Sequence, residues 1–370
     1  MKEVGLVLAL SLVALSAAGQ RSVFTPEWGY IDRSGNLVIE VQFHLARRFS
    51  EGLAAVWVDD ERGSGFGYID KTGKIIVRPQ FIRAKEFSEG LAEVSFGDSR
   101  GGLWGYVDRT GKMAITPRFD NTFPFSEGLA GVAVGGVAVR GGARIRGKWG
   151  FVDKTGTMVV EPIYDFVWPF SEGLAPAQFH GKFGYIDKKG QWVIEPQFGE
   201  SWPFTEGLGS VLLDGKWGCV NKKGEMVIKP QSERPVVFVE GLAAVLIDGK
   251  WGYMDTTGSM VIKPHFAQAQ NFSEGLANVT INGKRCFIDR TGRTVIDNLV
   301  PSVPNLGKHG LVTGFSQGLV AVCIELDFLV GMKETRWAYF DKTGKQAFPT
   351  DFRAAGDFSE GLAAVKVIKK

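Results

Sequence analysis

The chain has 370 residues, 44% of them hydrophobic and 22% charged, so it can bury a sizeable core and is neither disordered nor collagen-like. Its 43 basic and 40 acidic residues give a net charge of +3, which is too balanced to predict nucleic-acid binding. Three cysteines exclude a disulfide framework, and 49 glycines indicate many tight turns.

Residues 1–19 have the pattern of an export signal. Lys2 precedes an apolar run from Val4 to Leu15, and small residues follow from Ser16 to Gly19. The uncharged stretch is shorter than the roughly 20 residues of a membrane-spanning helix, so we expect cleavage rather than an uncleaved anchor. The mature chain, residues 20–370, is then exported to the periplasm, the cell surface or the medium, with no stable membrane span.

Two signatures recur nine times, in fixed order, through the rest of the chain. The first reads WGYID at Trp28–Asp32, and the second reads FSEGLA at Phe49–Ala54. The spacing from the first aromatic residue to the glycine of the second signature is 24 residues in eight copies. A period in this range predicts an array of repeated supersecondary units. The nine units start near residues 28, 66, 104, 149, 183, 217, 251, 285 and 337.

Each unit is predicted to contain three short strands and little helix. These are a Leu-Ala-x-Val strand, the Trp-Gly strand and a β-branched strand such as Val261-Ile262. Asp214-Gly215 is typical of a two-residue hairpin turn between the first two strands. Because the third residue of Leu-Ala-x-Val varies while its neighbours stay Ala and Val, we expect that strand to have one outward and one inward face.

These signatures resemble the bacterial WG-repeat family, also called KWG repeats. The name refers to the Lys-Trp-Gly triplet found here at Lys148–Gly150, Lys216–Gly218 and Lys250–Gly252. The resemblance covers nearly all of residues 28–365 and implies an all-β repeat module of secreted or surface proteins with no common activity. The eighth unit departs most, because Arg285 and Cys286 replace Trp and Gly.

The overall shape has two interpretations, an open solenoid-like stack and a closed β-propeller. Nine units exceed the roughly four to eight blades usual for propellers, which favours the open stack. Lys366, Lys369 and Lys370 beside the last strand also look like protection of an unpaired edge. Against this, the chain starts near the Trp28 strand and ends on the Leu362–Val365 strand, the permutation that closes a ring.

No motif predicts catalysis, a metal or a cofactor. Ser316 lies in a G-x-S-x-G sequence, but it falls in the serine column of the second signature and no helix follows. The recurring Asp and Glu columns lie beside turn glycines and indicate turn formation rather than a single acid pair. The four histidines lack metal-ligand spacing. The cysteines are interpreted as small buried residues, with a Cys286–Cys323 bridge left open.

Residues that the repeat does not require are the candidate binding residues. Phe123, Trp168 and Trp202 occupy one position in three consecutive units, and they form either an exposed ligand-binding stripe or core filling. The insertion 133–148 is predicted to be a hairpin with a basic side formed by Arg140, Arg144 and Arg146.

The sequence therefore favours a non-enzymatic, secreted binding scaffold for a protein or a cell-envelope glycan. One alternative is a hydrolase with its site in the degenerate eighth unit, residues 285–318. Another is a structural spacer with no ligand. In every interpretation nucleic acid is not a partner, and oligomeric state is not predicted.

Overall fold

The computed structural model describes residues 27–60, 63–96, 102–138, 144–145, 147–297, 314–328, 332–349 and 352–367, so the predicted signal segment lies outside it. Within these ranges the chain forms strands and turns, and no helix has the length and hydrophobicity needed to cross a membrane. In the first half the strands are β1 (Trp28–Asp32), β2 (Leu37–Phe43), β3 (Leu45–Ala46), β4 (Leu53–Asp60), β5 (Gly63–Asp70), β6 (Ile75–Phe81), β7 (Arg83–Ser88), β8 (Leu91–Ser95), β9 (Trp104–Asp108), β10 (Met113–Phe119), β11 (Asn121–Thr122), β12 (Ala130–Val134), β13 (Val137–Ala138), β14 (Arg144–Ile145), β15 (Lys148–Val152), β16 (Met158–Tyr164) and β17 (Phe166–Val167). They continue as β18 (Ala175–Phe179), β19 (Lys182–Ile186), β20 (Trp192–Phe198), β21 (Gly209–Leu213), β22 (Lys216–Val220), β23 (Met226–Ser232), β24 (Leu242–Ile247), β25 (Lys250–Asp255), β26 (Met260–Phe266), β27 (Gln268–Ala269), β28 (Ala277–Ile281), β29 (Lys284–Ile288), β30 (Thr294–Ile296), β31 (Leu319–Phe328), β32 (Met332–Asp341), β33 (Phe352–Ala355) and β34 (Leu362–Val367).

The described strands form eight sheets arranged in a ring, a β-propeller, and one additional two-stranded ribbon. Seven sheets are β3–β4–β5–β6, β10–β9–β8–β7, β11–β12–β15–β16, β17–β18–β19–β20, β21–β22–β23, β24–β25–β26 and β27–β28–β29–β30. The eighth, β2–β1–β34–β33–β32–β31, contains strands of the eighth, ninth and first units. The three predicted strands of each unit are mostly present, and several sheets add a short strand before the second signature.

The prediction of an open stack is wrong, because the two ends of the chain pair with each other. Strand β34 lies antiparallel to β1, with Ile31 opposite Ala363 and Trp28 opposite Lys366. Lys366 therefore does not protect a free edge, since its strand also pairs with β33. Nine units fit into a ring of eight sheets because seven sheets join strands of two consecutive units, whereas the closing sheet joins strands of three.

The glycine of the Trp-Gly pair is required by close backbone approach. A Cβ atom at Gly150 would lie 2.3 Å from the Val160 carbonyl oxygen, and one at Gly105 would lie 2.4 Å from that of Ile115. The same clash recurs in units one to seven, because the strand after the Trp-Gly strand, here called the outer strand, bulges toward the glycine; in units two to seven the bulge contains a proline. Pro162 lies inside this seven-residue strand.

The eighth and ninth units have another residue at this glycine and lack the regular outer strand. Cys286 and Ala338 replace the glycine. The outer strand of the eighth unit shortens to three residues, Thr294–Ile296, and in the described part of the ninth unit the pairing consists of an isolated bridge between Phe340 and Gln346 and one pair between Trp337 and Phe352. The correlation follows from sterics, since the bulged strand and a side chain occupy the same space.

The Leu-Ala-x-Val strands pair with the Trp-Gly strands in every sheet of the ring, and both of their faces are buried. Ala55, Ser210 and Ala364 at the variable third position are at most 5% exposed. The expectation of an outward face there is wrong, because neighbouring sheets pack against each other on both sides. Small residues dominate this position for that reason.

Candidate functional site

The second signature forms a turn that is the same in all nine units. The Glu of Ser-Glu-Gly-Leu has a φ near +54°, the following Gly has a φ near +85°, and the flanking residues pair as Ser50 with Leu53. This is a type I′ hairpin, the geometry also formed by Asp214-Gly215. We call these nine turns the inner turns.

Each inner turn is bonded to the next, and the bonds complete a circle. The Glu89 carboxylate accepts from the Gly128 N–H at 3.0 Å, and Glu360 closes the circle by accepting from Gly52 at 3.0 Å. Gln317 makes the same bond to Gly361. The Glu column is therefore part of the scaffold, in agreement with its interpretation as a turn feature.

The serine of the G-x-S-x-G sequence belongs to this circle too. The Ser316 hydroxyl donates to the Phe358 carbonyl at 2.7 Å, as Ser88 donates to Phe125 at 2.8 Å. The hydroxyl is used between units and has the same environment as its repeat equivalents. Nothing in this geometry distinguishes Ser316 as a nucleophile.

The Asp column closes the turn between the Trp-Gly strand and the outer strand. Asp341 accepts from the Thr343 hydroxyl at 2.6 Å and from the backbone N–H groups of Thr343 and Lys345. These bonds, the hydroxyl first, hold the pKa of Asp341 below its ordinary value. The described residues contain no cluster of three or more His, Cys, Asp or Glu side chains that could hold a metal ion.

The cysteines are buried, as interpreted from the sequence. Cys219 and Cys286 are free thiols, so the Cys286–Cys323 bridge is not formed. Burial raises the pKa of Cys219 to about 12, which keeps this thiol protonated and unreactive near neutral pH.

The three candidate aromatic residues lie side by side. The ring centroids of Phe123 and Trp168 are 6.0 Å apart, and those of Trp168 and Trp202 are 5.8 Å apart. Phe123 and Trp168 are half-buried, whereas Trp202 is 36% exposed. We call these three residues the aromatic stripe. Its rings are neither core nor fully exposed.

The spacing and the interplanar angles of these aromatic side chains place the stripe at the inner edge of the sheets, around the propeller axis. Nine units in one full turn are related by about 40°, and the interplanar angles are 38° and 32°. Rotation about the propeller axis reorients a plane that contains the axis but not a plane perpendicular to it. The planes of these aromatic side chains therefore lie roughly parallel to the propeller axis. Their spacing corresponds to a circle of about 9 Å radius, which is expected for residues around a central channel.

The edge of each sheet that is opposite the stripe faces outward. Val38, Ile76 and Val261 on the outer strands are between 38% and 47% exposed. The order of strands from the axis outward is thus the strand of the stripe position, the Leu-Ala-x-Val strand, the Trp-Gly strand and the outer strand.

Further aromatic rings support the stripe from the sheets that carry it. Trp149 lies 5.1 Å from Phe123, and Phe166 lies 5.2 Å from Trp168 and 5.9 Å from Phe123. Trp149 is 2% exposed, so it belongs to the core beneath the stripe. The repeat does not require an aromatic residue at the position of Phe166. In the sequence, only its place two residues before Trp168 indicated that it supports the stripe.

The basic hairpin is present only in outline. Strands β13 and β14 pair as a ribbon, with Ala138 opposite Arg144. Arg140 and Arg146 lie outside the described residues, and for Arg144 only the backbone is described. The predicted binding role of these three arginines stays a prediction.

Sequence reasoning missed one charged cluster next to the stripe. Glu93, at the third position of a Leu-Ala-x-Val strand, is 1% exposed and pairs with Lys85 at 2.8 Å. Its signal was visible as the one charged residue in a column otherwise occupied by Ala, Gly, Pro, Ser and Asn.

Fold and site together define a closed β-propeller of repeated units with an aromatic stripe at its inner edge. A model of the WG containing repeat matches residues 28–60, 66–98, 104–137, 149–183, 183–217, 217–251, 251–284 and 337–370. The chain therefore belongs to the WG-repeat family. The unmatched eighth unit is the one that has Arg285 and Cys286 in place of Trp and Gly.

Comparisons with other proteins add little beyond the family. No curated protein matches the sequence. AztD of Citrobacter koseri is similar at 13% identity and a TM-score of 0.38, over 93% of this chain and 99% of that protein. The tricorn protease is similar at 12% identity and a TM-score of 0.25, over 90% of this chain but only 43% of the protease.

Proposed function

We propose that this protein is an exported, non-enzymatic scaffold that binds a cell-envelope glycan at the aromatic stripe. The observation that carries the proposal is the stripe itself: three large rings, partly exposed, in consecutive units at a position where other units have Arg, Lys, Val, Gln, Thr or Gly. Partly exposed large aromatic side chains on a rigid scaffold are typical of binding surfaces.

A glycan fits this surface for two reasons. Sugar rings have an apolar face that packs against indole and a polar edge that stays hydrated, which matches rings that are half in water. The stripe also continues through three neighbouring units, which suits an extended polymer better than a compact ligand. The basic insertion would add attraction for an anionic polymer, effective within roughly 10 Å at 0.1 M salt.

The test replaces the stripe and measures binding to defined glycans. The probes are soluble peptidoglycan fragments, anionic polygalacturonate and neutral dextran, measured by calorimetry and tryptophan fluorescence. We expect one of these to bind the wild-type chain, and a Trp168→Ala/Trp202→Ala double variant to bind it about tenfold more weakly, the loss expected from two ring contacts. Trp192→Ala, a half-buried tryptophan on outer strand β20, is the matched control and should bind normally.

Two results would reject this proposal. If the double variant no longer unfolds cooperatively, the stripe is core rather than binding surface. If the wild-type chain binds none of the glycans, the ligand is not a glycan, and capture of an envelope protein by the wild-type but not the double variant would point to a protein partner instead.

Export has its own test. Expression of the full chain in a bacterium, followed by fractionation and N-terminal sequencing, should recover a chain outside the cytoplasm that begins close to residue 20. Recovery of the intact N-terminus from the cytoplasm would contradict the proposed localisation.

A further inference from the structure

A buried carboxylate and a half-buried ammonium group form an ion pair directly beside the aromatic stripe. The Lys85 ammonium group lies 2.8 Å from the Glu93 carboxylate, and Glu93 is 1% exposed. Lys85 is on β7 and Glu93 is on β8 of the same sheet. Lys85 has the stripe position in the unit that precedes Phe123, so it is the neighbour of the stripe around the ring.

The pair reaches the next sheet through Thr122. The Thr122 hydroxyl donates to Glu93 at 3.3 Å, and the Thr122 carbonyl accepts from Lys85 Nζ at 3.4 Å. Thr122 is 2% exposed and immediately precedes Phe123, the first ring of the stripe. The Tyr106 hydroxyl, which donates to the Phe123 carbonyl at 2.8 Å, fixes the other side of the same peptide segment.

Stability does not explain this cluster. Burying the Glu93 carboxylate costs about as much as its attraction to the half-buried Lys85 ammonium group returns, and replacing buried ion pairs with apolar residues is often neutral or stabilising. The repeat provides the apolar solution itself, since Ala occupies the position of Glu93 in four other units. A buried carboxylate that the fold does not need is better explained by the geometry that its bonds impose.

We propose that Lys85 and Glu93 are positioning residues, which hold Thr122 from the neighbouring sheet and thereby fix the placement of Phe123 at the start of the stripe. This inference rests on the proposed function for its consequence on binding. The geometric part concerns the placement of the stripe and stands independently of any ligand.

The ionisation of Glu93 provides a readout that a packing role would not give. Burial raises the pKa of Glu93 above its ordinary value, and the repulsion of Glu86 adds to this, although Lys85 and Thr122 oppose the shift. Tyr68 and Tyr106 also face the carboxylate, and Arg47 lies 3.9 Å from Glu86. Acidification should therefore neutralise Glu93 and release Lys85 while other carboxylates remain charged.

The first experiment compares the wild-type chain with a Lys85→Met/Glu93→Ala double variant, which removes both charges together. The stripe signal is the difference in near-ultraviolet circular dichroism between the wild-type chain and Trp168→Ala. We expect the double variant to keep its melting temperature or raise it, to change the stripe signal, and to bind the peptidoglycan fragments at least roughly threefold more weakly.

The second experiment uses Glu93→Gln, which keeps the volume and an acceptor oxygen for Thr122. It should retain most of the stripe signal, and it should abolish the change of that signal on mild acidification that the wild-type chain shows. The inference would be overturned if the double variant had an unchanged stripe signal, or if the stripe signal of Glu93→Gln had the same pH profile as that of the wild-type chain. If no glycan binds the wild-type chain, the proposed function fails, while these spectra still test the positioning role.

Discussion

The inner turns and the aromatic stripe are adjacent along the chain but differ in how often they occur. The inner turns have the same backbone geometry and the same bonds between units in all nine units. The stripe starts three residues before the Ser of these turns and exists in only three units. Because the turns close the ring, they tolerate little change. The stripe position points to the inner edge, where a side chain can vary without affecting the closure.

This comparison predicts that the closing sheet, where β34 pairs with β1, tolerates a buried charge no better than the other sheets do. Ala364 and Ala244 occupy equivalent positions, one on the closing strand and one inside the array, and are 5% and 6% exposed. Ala364→Asp and Ala244→Asp should each lose about 3–5 kcal/mol, because both bury an uncompensated carboxylate. The free energy of unfolding in denaturant measures both. A harmless Ala364→Asp would mean that the ring is open in solution.

The next largest effect concerns two kinds of glycine. Gly150→Ala should destabilise the protein by about 3 kcal/mol, since its Cβ would collide with the Val160 carbonyl oxygen. Gly128→Ala in an inner turn meets no atom within 4 Å and should lose about 1 kcal/mol, the strain of a left-handed φ. Equal losses in denaturant unfolding would show that the bulged outer strand moves aside easily.

A smaller effect is expected when one bond between inner turns is removed. The Glu172 carboxylate accepts from the Gly207 N–H at 3.1 Å and pairs with Lys222 at 3.2 Å. Glu172→Ala should lose about 1 kcal/mol in thermal or chemical unfolding. Glu172→Gln should lose much less, because Gln317 makes the equivalent bond naturally and exposed ion pairs contribute little. A large loss in the Gln variant would make the charge, rather than the hydrogen bond, the important element.

The smallest effect is a pH dependence with opposite signs at two carboxylates. The lowered pKa of Asp341 adds stability that is fully present above the ordinary pKa of an aspartate, about 3.9, and is lost as the pH falls through the lowered pKa, so Asp341→Asn should be slightly less stable than wild type at neutral pH and approach it in acid. The raised pKa of Glu93 has the reverse effect, because the folded state holds the proton longer, so Glu93→Gln should be relatively most stable at neutral pH. The free energy of unfolding of wild type and both variants, measured from about pH 3 to pH 7, tests both expectations. Stability curves of the variants that run parallel to the wild-type curve would contradict the directions of these pKa shifts.

Much of the scaffold could be predicted from the sequence because repetition makes local signals unambiguous. Nine copies of each signature identified the strands, and Asp214-Gly215 identified a hairpin turn that has the expected positive φ. The stripe was found in the same way, as a departure from a repeated column. Its meaning for binding stays a prediction, because exposure depends on which strand lies innermost.

Two other features could not be inferred from local sequence. The burial of both faces of the Leu-Ala-x-Val strands depends on the neighbouring sheets, so the variable third position looked exposed although Ala55 is 1% exposed. The Lys85–Glu93 pair was missed as a cluster because its third member, Thr122, belongs to the next sheet. Contacts between units have no signature within one unit.

The sequence by itself determined the all-β class, the nine units, their turns and the family, because these depend on local backbone preferences and on glycine and proline positions that are written in every copy. Only the tertiary structure decided between an open stack and a closed ring. That choice depends on the small rotation between neighbouring units, summed nine times until β34 meets β1. An angle of this kind is set by packing between units, and no single unit specifies it.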